Sequence, residues 1–297
     1  MSVQGGRVPH SAQGFLIPTM SNLMTFHKIL SGCEGGIPAA WRTLLSEYTP
    51  VVLRLFGVYS PWTPERSLDA WREVLSLLSA DQCLPLRSFS HQSEREFLVD
   101  LRAFLLDWMA AKLEPCQIGE DPAAPTVETL AALLKGLPLL HQEIAFLTLA
   151  GYSQGTVEKT LRITPSVAGE ALDRLRANYA PVLNRSEDRC LWPSAWIGIS
   201  RAARAGGQKD CAPLRLLVRV LDGQASWYDK TPVEEHRPTC LHCLELWTSL
   251  LEVVSWEREA APWPVERIEP LLAAVPLETP KKSKTSLLAR MLAPIRR

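Results

Sequence analysis

Apolar residues recur along most of this chain at intervals of three and four positions, the spacing that places side chains on one face of an α-helix. The clearest runs lie at 41–55, 68–78 and 97–108. Pro50 interrupts the first run, which therefore predicts either one amphipathic helix or two short ones. The pattern predicts an all-α protein whose first unit has three helices over 38–113.

A second group of helical stretches follows a proline-rich linker. Three stretches over 127–185 are separated by short turns at 151–153 and 163–166, where Ser153 or Thr164 can cap the helix that it precedes. Their lengths fit a helix-turn-helix unit with a preceding support helix. An ordinary helical bundle is the alternative interpretation.

Prolines, glycines and shifts in composition divide the rest of the chain into short segments. The predicted order is a flexible leader (1–37) with at most one short helix around 21–31, the three-helix unit (38–113), a linker (114–126), the helix-turn-helix unit (127–185), a connector (186–210), a small metal-bound helical unit (211–257), and a proline-rich segment with a basic tail (258–297).

Three soft metal ligands lie close together in the third unit. His236, Cys240 and Cys243 are spaced at i, i+4 and i+7, which places them on one face of a helix, and Cys211 lies 25 residues upstream as a fourth ligand. Three cysteines and one histidine are a ligand set of structural zinc, and they leave no open position for water. Buried thiols beside a surface histidine are the alternative. His242, between the two cysteines, is a weaker ligand candidate.

Composition limits the functions that the chain can have. The 297 residues carry 32 basic and 32 acidic side chains, so any binding of nucleic acid has to be local. No stretch approaches the roughly 18 uninterrupted apolar residues of a transmembrane helix. Seven cysteines without a preceding signal segment favour the cytoplasm over a secreted disulfide framework. No nucleophile motif or glycine-rich phosphate loop indicates an enzyme.

The first two units resemble the two domains of extracytoplasmic-function sigma factors, the bacterial RNA polymerase subunits that recognise promoters. The order of the units and the proline-rich spacer between them also fit this family. The segments that carry the resemblance are 41–56 (first region-2 helix), 69–78 (the acidic helix that docks on polymerase), 89–108 (the helix facing the promoter's melting element), and 130–183 (region 4, with its helix entry at 137–143, its turn at 151–153 and its recognition helix at 166–179).

The sigma resemblance implies two partners, RNA polymerase core and promoter DNA. It places the DNA contacts at Arg174 and Arg176 of the recognition helix. Because Glu170 and Asp173 lie beside them, a solvated helix face with i, i+4 ion pairs is the alternative. The residues implied on the polymerase-docking helix are Asp69, Trp71, Glu73 and Leu77.

The third unit resembles the zinc-binding anti-sigma domain. In that family an upstream ligand is followed about 25 residues later by His-x3-Cys-x2-Cys, and residues 220–223 match the usual turn after its first helix. The resemblance implies Zn²⁺ as the metal and contact of the zinc unit with the sigma-like units of the same polypeptide. A tethered unit acts at a high effective concentration, so even a weak interaction holds the sigma-like part closed.

The last residues form a basic tail with apolar positions at helical spacing. Six basic side chains and no acid fall within 281–297, beside Leu287, Leu288, Met291, Leu292 and Ile295. An amphipathic basic segment binds a protein groove, an anionic polymer or a membrane surface, and we favour the first two because the apolar face lacks aromatic residues. The partner is unknown, and an inert tail is the alternative.

The sequence therefore favours a cytoplasmic transcription regulator with a sigma-like body and its own zinc-dependent inhibitory unit. One alternative is an adaptor that keeps the sigma fold as a protein-binding scaffold without promoter recognition. A second is an all-helical protein whose zinc replaces part of a small core.

Overall fold

The fold is all-α, as predicted, and no strand occurs in the computed structural model, which describes residues 25–90, 92–113, 126–183 and 192–277. A 3₁₀ turn, Arg237–Thr239, accompanies the α-helices of this part of the chain. The helices are α1 (Phe26–Glu34), α2 (Pro38–Tyr59), α3 (Pro64–Leu78), α4 (Ala80–Arg87), α5 (Glu94–Lys112), α6 (Val127–Leu134), α7 (Leu139–Leu149), α8 (Gln154–Leu161), α9 (Pro165–Leu183), α10 (Trp192–Ala205), α11 (Leu214–Leu221), α12 (Trp227–His236), α13 (Leu241–Glu259) and α14 (Val265–Leu272).

Helix α2 continues through Pro50 as one helix of 22 residues. A proline inside a helix removes the N–H that would bond the carbonyl four residues earlier, here that of Ser46. The Ser46 carbonyl instead accepts a hydrogen bond from the Trp263 N–H at 2.9 Å, and the Ser46 hydroxyl donates to the Trp263 carbonyl at 2.6 Å. The segment that leads into α14 therefore satisfies the group that the proline leaves free.

Helices α3 and α5 each begin at a hydroxyl side chain that caps the first turn. Thr63 caps α3 by accepting from the Arg66 N–H, and Pro64 follows it in the first turn. Ser93 caps α5 in the same way by accepting from the Glu96 N–H. The apolar faces of α2, α3 and α5 then bury Trp41, Phe56, Trp71, Leu75 and Phe97.

Helices α7, α8 and α9 pack on one another as a helix-turn-helix unit. Ser153 caps α8 by accepting from the Thr156 N–H. Arg162 ends that helix in the left-handed conformation, with φ of 56°, and α9 begins three residues later at Pro165. Helix α9 contains the segment 166–179.

The predicted connector contains a helix that the sequence reading missed. Helix α10 packs against α5 and α13, and its side chains at 196, 199, 200 and 203 are buried at helical spacing. Trp196 is almost fully buried and lies edge-on to Phe146 of α7, with 4.5 Å between the ring centroids. The prolines, glycines and arginines around this short apolar face obscure its period in the sequence.

Helix α13 lies at the centre of the described fold. It packs against α2 and α5 of the first unit, α7 and α8 of the second, and α10 and α11. Its buried side chains include Leu244, Trp247, Leu250, Val253 and Trp256. The core is therefore continuous across the three predicted units, and the helix that joins them is the one that begins at the cysteine motif. Among the described helices, none has the length and apolarity needed to cross a membrane.

Candidate metal centre

The four predicted ligands come together in space. Cys211 lies in the loop between α10 and α11, His236 is the last residue of α12, Cys240 is the N-cap of α13, and Cys243 lies in the first turn of that helix. Their ligand atoms all lie within 4.8 Å of one another. Residues from three separate segments thus form one group that could hold a metal ion.

The distances within this group suit tetrahedral coordination. The Cys211 Sγ is 3.6 Å from the Cys240 Sγ and 3.7 Å from the His236 Nε2. Zinc bonds of about 2.3 Å to sulfur and about 2.0 to 2.1 Å to nitrogen give tetrahedral edges of about 3.8 Å between sulfurs and about 3.6 Å between sulfur and nitrogen. The side chains fit a four-coordinate ion without rearrangement of these pairs.

The spacing predicts that His236, Cys240 and Cys243 lie on one continuous helix, and this prediction is wrong. Helix α12 ends at His236, a 3₁₀ turn follows, and Cys240 is extended, with φ of −125° and ψ of 111°. Pro238 contributes to the break because it supplies no N–H for the carbonyl four residues earlier, whereas Arg237 before it keeps helical geometry. The 3₁₀ turn brings the side chains of His236 and Cys240 together at the candidate metal site.

Backbone N–H groups point at the sulfurs. The Gln208 N–H donates to the Cys211 Sγ at 3.1 Å. The N–H groups of Cys243 and Ala212 donate to the sulfurs of Cys240 and Cys243. The two latter cysteines also lie at the positive N-terminal end of α13. These donors stabilise thiolates, the form in which cysteine binds a metal.

In the absence of a cation, burial favours the protonated form of the thiols and opposes the effect of these N–H donors. Burial, with a smaller contribution from the neighbouring sulfurs, raises the pKa of Cys240 and raises that of Cys243 to about 12. A bound divalent ion reverses this balance, because its charge deprotonates a coordinating thiol. The group could therefore hold a metal ion, and a bound cation would favour the thiolate form of its cysteines.

His242 has a different role from the ligands. Its Nδ1 lies 2.9 Å from the Arg204 carbonyl, which can only accept, so Nδ1 donates. The imidazole thereby satisfies a carbonyl at the C-terminal end of α10. Gly207 lies against the ring so closely that a Cβ there would be 3.0 Å from the His242 Cε1. His242 joins α10 to α13 beside the metal site.

A buried cluster of charges lies further along α13, and sequence reasoning missed it. Arg102 of α5 donates to Glu245 at 3.0 Å and is 2.7 Å from a Glu252 oxygen, and all three side chains are at most 2% exposed. Tyr59 of α2 donates to Glu252 and accepts from Arg102. Burial raises the pKa of Glu252, and the Arg102 charge opposes that rise.

The cluster extends to α10. The Ser200 hydroxyl donates to Glu245 at 2.5 Å, and Arg204 donates to the same carboxylate at 3.3 Å. Four helices, α2, α5, α10 and α13, thus share one buried polar network. No periodicity signals such a cluster, because Arg102 and Glu245 are 143 positions apart.

The residues implied for polymerase docking separate into two groups. Asp69, Glu73 and Leu77 are on the surface of α3, where Asp69 pairs with Arg72 and Glu73 pairs with Arg66 and Lys112. Trp71 instead lies in the core and donates from its Nε1 to the Thr49 hydroxyl at 3.0 Å. The indole of Trp71 is therefore not presented to a partner in this structure.

Arg174 and Arg176 are exposed on α9, and Arg176 pairs with Asp173 at 3.4 Å. The predicted tail at 281–297 lies outside the described residues, as do the first 24 residues and most of the linker. Comparison of the chain with protein-family models, with curated proteins and with solved structures finds no match.

Proposed function

We propose that this chain is a cytoplasmic transcription regulator of the sigma-factor type, held closed by its own zinc-binding unit. In this proposal 38–113 and 127–185 bind RNA polymerase core and promoter DNA, and 211–257 restrains them. Zn²⁺ is held by Cys211, His236, Cys240 and Cys243. Its role is structural, because four protein ligands fill a tetrahedral shell.

The observation that carries this proposal is the position of α13. The helix begins at two of the candidate ligands and packs against α2 and α5 on one side and α7 and α8 on the other. A helix in that position fixes the first two units relative to each other. A metal that organises its first turn then acts on the arrangement of the whole chain.

The exposed residues of α3 and α9 support the choice of partners. Asp69 and Glu73 are accessible on α3, where they pair with Arg66, Arg72 and Lys112, and Arg174 and Arg176 are exposed on α9. Accessible ion pairs can exchange for pairs with a charged partner surface, and exposed arginines suit phosphates. The two surfaces are on different units, so they can contact polymerase and DNA separately.

The test uses the full chain, because removal of 211–297 would expose the core that α13 covers. Metal-loaded and chelator-treated protein are mixed with bacterial RNA polymerase core, and complex formation and promoter-dependent transcription are measured. We expect weak binding by the loaded form and stronger binding after metal removal. Asp69→Lys with Glu73→Lys should weaken that complex, whereas Glu158→Lys with Glu170→Lys, a charge-matched control on α8 and α9, should not.

Two outcomes separate the alternatives. Binding to polymerase without any promoter-dependent transcript would favour the adaptor that keeps only the protein-binding surface. Absence of binding in both metal states would contradict the sigma-type proposal. It would leave an all-helical protein whose metal supports a small part of the core.

A further inference from the structure

We propose that the buried charge cluster and the metal site are energetically coupled, so that metal binding and the docking of α13 on α5 stabilise each other. The coupled elements are the four ligands at one end of α13 and the Arg102, Glu245 and Glu252 cluster along it. This inference goes beyond the proposed function, because it requires neither polymerase nor DNA.

The first link is α13 itself, a rigid element common to both sites. Glu245, Ser249 and Glu252 share one face of α13, on the opposite side of the helix from Cys243. Cys243 and Glu252 are separated by about 14 Å along the axis at 1.5 Å per residue. The Cys240 sulfur, at the N-cap, accepts from the Cys243 N–H three residues later. Metal bonds to Cys240 and Cys243 would therefore fix the same first turn of the helix.

A second link passes through α10. Arg204 contacts Glu245 through its guanidinium, while its carbonyl accepts from the His242 Nδ1. Gly207 then lies against the His242 ring, and the Gln208 N–H donates to the sulfur of Cys211. A continuous chain of contacts therefore links the buried cluster to Cys211, a ligand that lies outside α13. His242 serves in this path as a positioning residue for the metal site.

The chemistry of the cluster makes the docking nearly all-or-none. A buried guanidinium keeps its charge, so Arg102 needs both carboxylates within reach. A small shift of α13 would leave buried charges without partners, which is more costly than the loss of apolar contact. Because the docked helix also presents Cys240, Cys243 and Glu245 in one arrangement, any state that undocks the cluster also disorders the ligands.

Coupling of this kind is reciprocal, so a substitution in the buried charge cluster must change the affinity of the site for the metal. Glu252→Gln keeps the size of the side chain and removes one charge from the cluster, with Glu245 still available to Arg102. We expect it to weaken binding of Zn²⁺ by about five- to hundredfold, the usual range of coupling between sites. Glu259→Gln makes the same change at an exposed position of the same helix, where Arg54 is the partner, and should leave affinity within about twofold.

The experiment titrates reduced full-length protein with Zn²⁺ in competition with a chromophoric chelator. Tyr59→Phe provides a milder second variant that removes one hydroxyl from the cluster and keeps every charge. Weaker Zn²⁺ binding by Glu252→Gln and Tyr59→Phe, with Glu259→Gln unchanged, supports the coupling. Equal affinity in the parent and both cluster variants overturns it.

A reciprocal measurement needs no variant at all. Amide hydrogen exchange of α5 around Arg102 is compared in the parent with and without Zn²⁺. We expect metal removal to speed exchange there, although no ligand belongs to α5. Unchanged exchange in α5 overturns the proposal, whatever the result with RNA polymerase.

Discussion

Arg102 and Glu245, 143 positions apart in the sequence, form a buried ion pair of 3.0 Å between α5 and α13. The pair joins the first predicted unit, 38–113, to the helix that begins at the cysteine motif. Glu252 adds a second carboxylate to the same guanidinium at 2.7 Å. The closed arrangement therefore depends on charges as well as on apolar burial.

Arg102→Met should destabilise the fold by about 3 to 5 kcal/mol, because it leaves Glu252 buried without its cation and leaves Glu245 with Arg204 alone. Urea unfolding of metal-loaded protein measures this change. Arg42→Met is the matched control, since Arg42 pairs with Glu269 at the surface and its loss should cost at most about 1 kcal/mol. Equal effects of the two substitutions would show that the buried cluster contributes no more than a surface pair.

Trp71→Ala should destabilise the fold by about 3 to 5 kcal/mol, because the side chain is fully buried and donates to Thr49. Asp69→Lys on the exposed side of the same helix should change stability by at most about 1 kcal/mol. Thermal or urea unfolding distinguishes the two positions. A small effect at Trp71 would mean that the indole is available at the surface of α3.

Glu47→Gln should stabilise the protein at neutral pH. Burial, together with the charge of Glu94, raises the pKa of Glu47. A raised carboxyl pKa means that the folded state binds more protons, so its stability is greatest below the unfolded value of about 4.3 and falls as pH rises through the folded value.

At pH values above the folded pKa, Glu47→Gln should therefore raise the free energy of unfolding by under about 1 kcal/mol, because the group is only half-buried. This gain should disappear near pH 4. Unfolding curves at pH 4 and pH 7 measure it. Glu170→Gln, at an exposed position of α9, serves as the control. A gain that grows on acidification would contradict the assignment.

Arg174→Ala with Arg176→Ala should weaken DNA binding and reduce its salt dependence. Each lost phosphate contact lowers the slope of log affinity against log salt by about 0.9. Fluorescence anisotropy at several salt concentrations gives this slope. Arg42→Ala with Arg54→Ala removes the same charge from α2 and should leave the slope unchanged. A parent protein whose DNA binding does not vary with salt has no phosphate contacts to lose.

The sequence predicts the fold class and the cap of α8 because these depend on local rules. Apolar spacing marks the long helices, and Thr63, Ser93 and Ser153 occupy the caps that hydroxyl side chains favour. The ligand set is also predictable, since thiols and imidazole at short spacings indicate a soft metal. The geometry around the set is not, because Pro238 ends the helix on which those ligands were expected.

Long-range contacts account for what the sequence does not reveal. Glu245 and Glu252 have the composition of a solvated helix face, and only the packing of α5 against α13 buries them. Pro50 signals a broken helix, yet the Trp263 N–H satisfies the carbonyl that the proline leaves free. Trp71 lies on a helix for which the sequence analysis predicts a contact surface, but its place in the apolar period puts the side chain in the core.

Metal analysis of full-length protein purified under reducing conditions tests the central claim most directly. The account predicts one Zn²⁺ per chain in the parent and in His141→Ala, and none retained by Cys243→Ser, because Cys243 is a ligand whereas His141 lies on α7 outside the ligand group. A parent protein without bound metal would contradict the account. So would a Cys243→Ser variant that keeps a full equivalent of zinc.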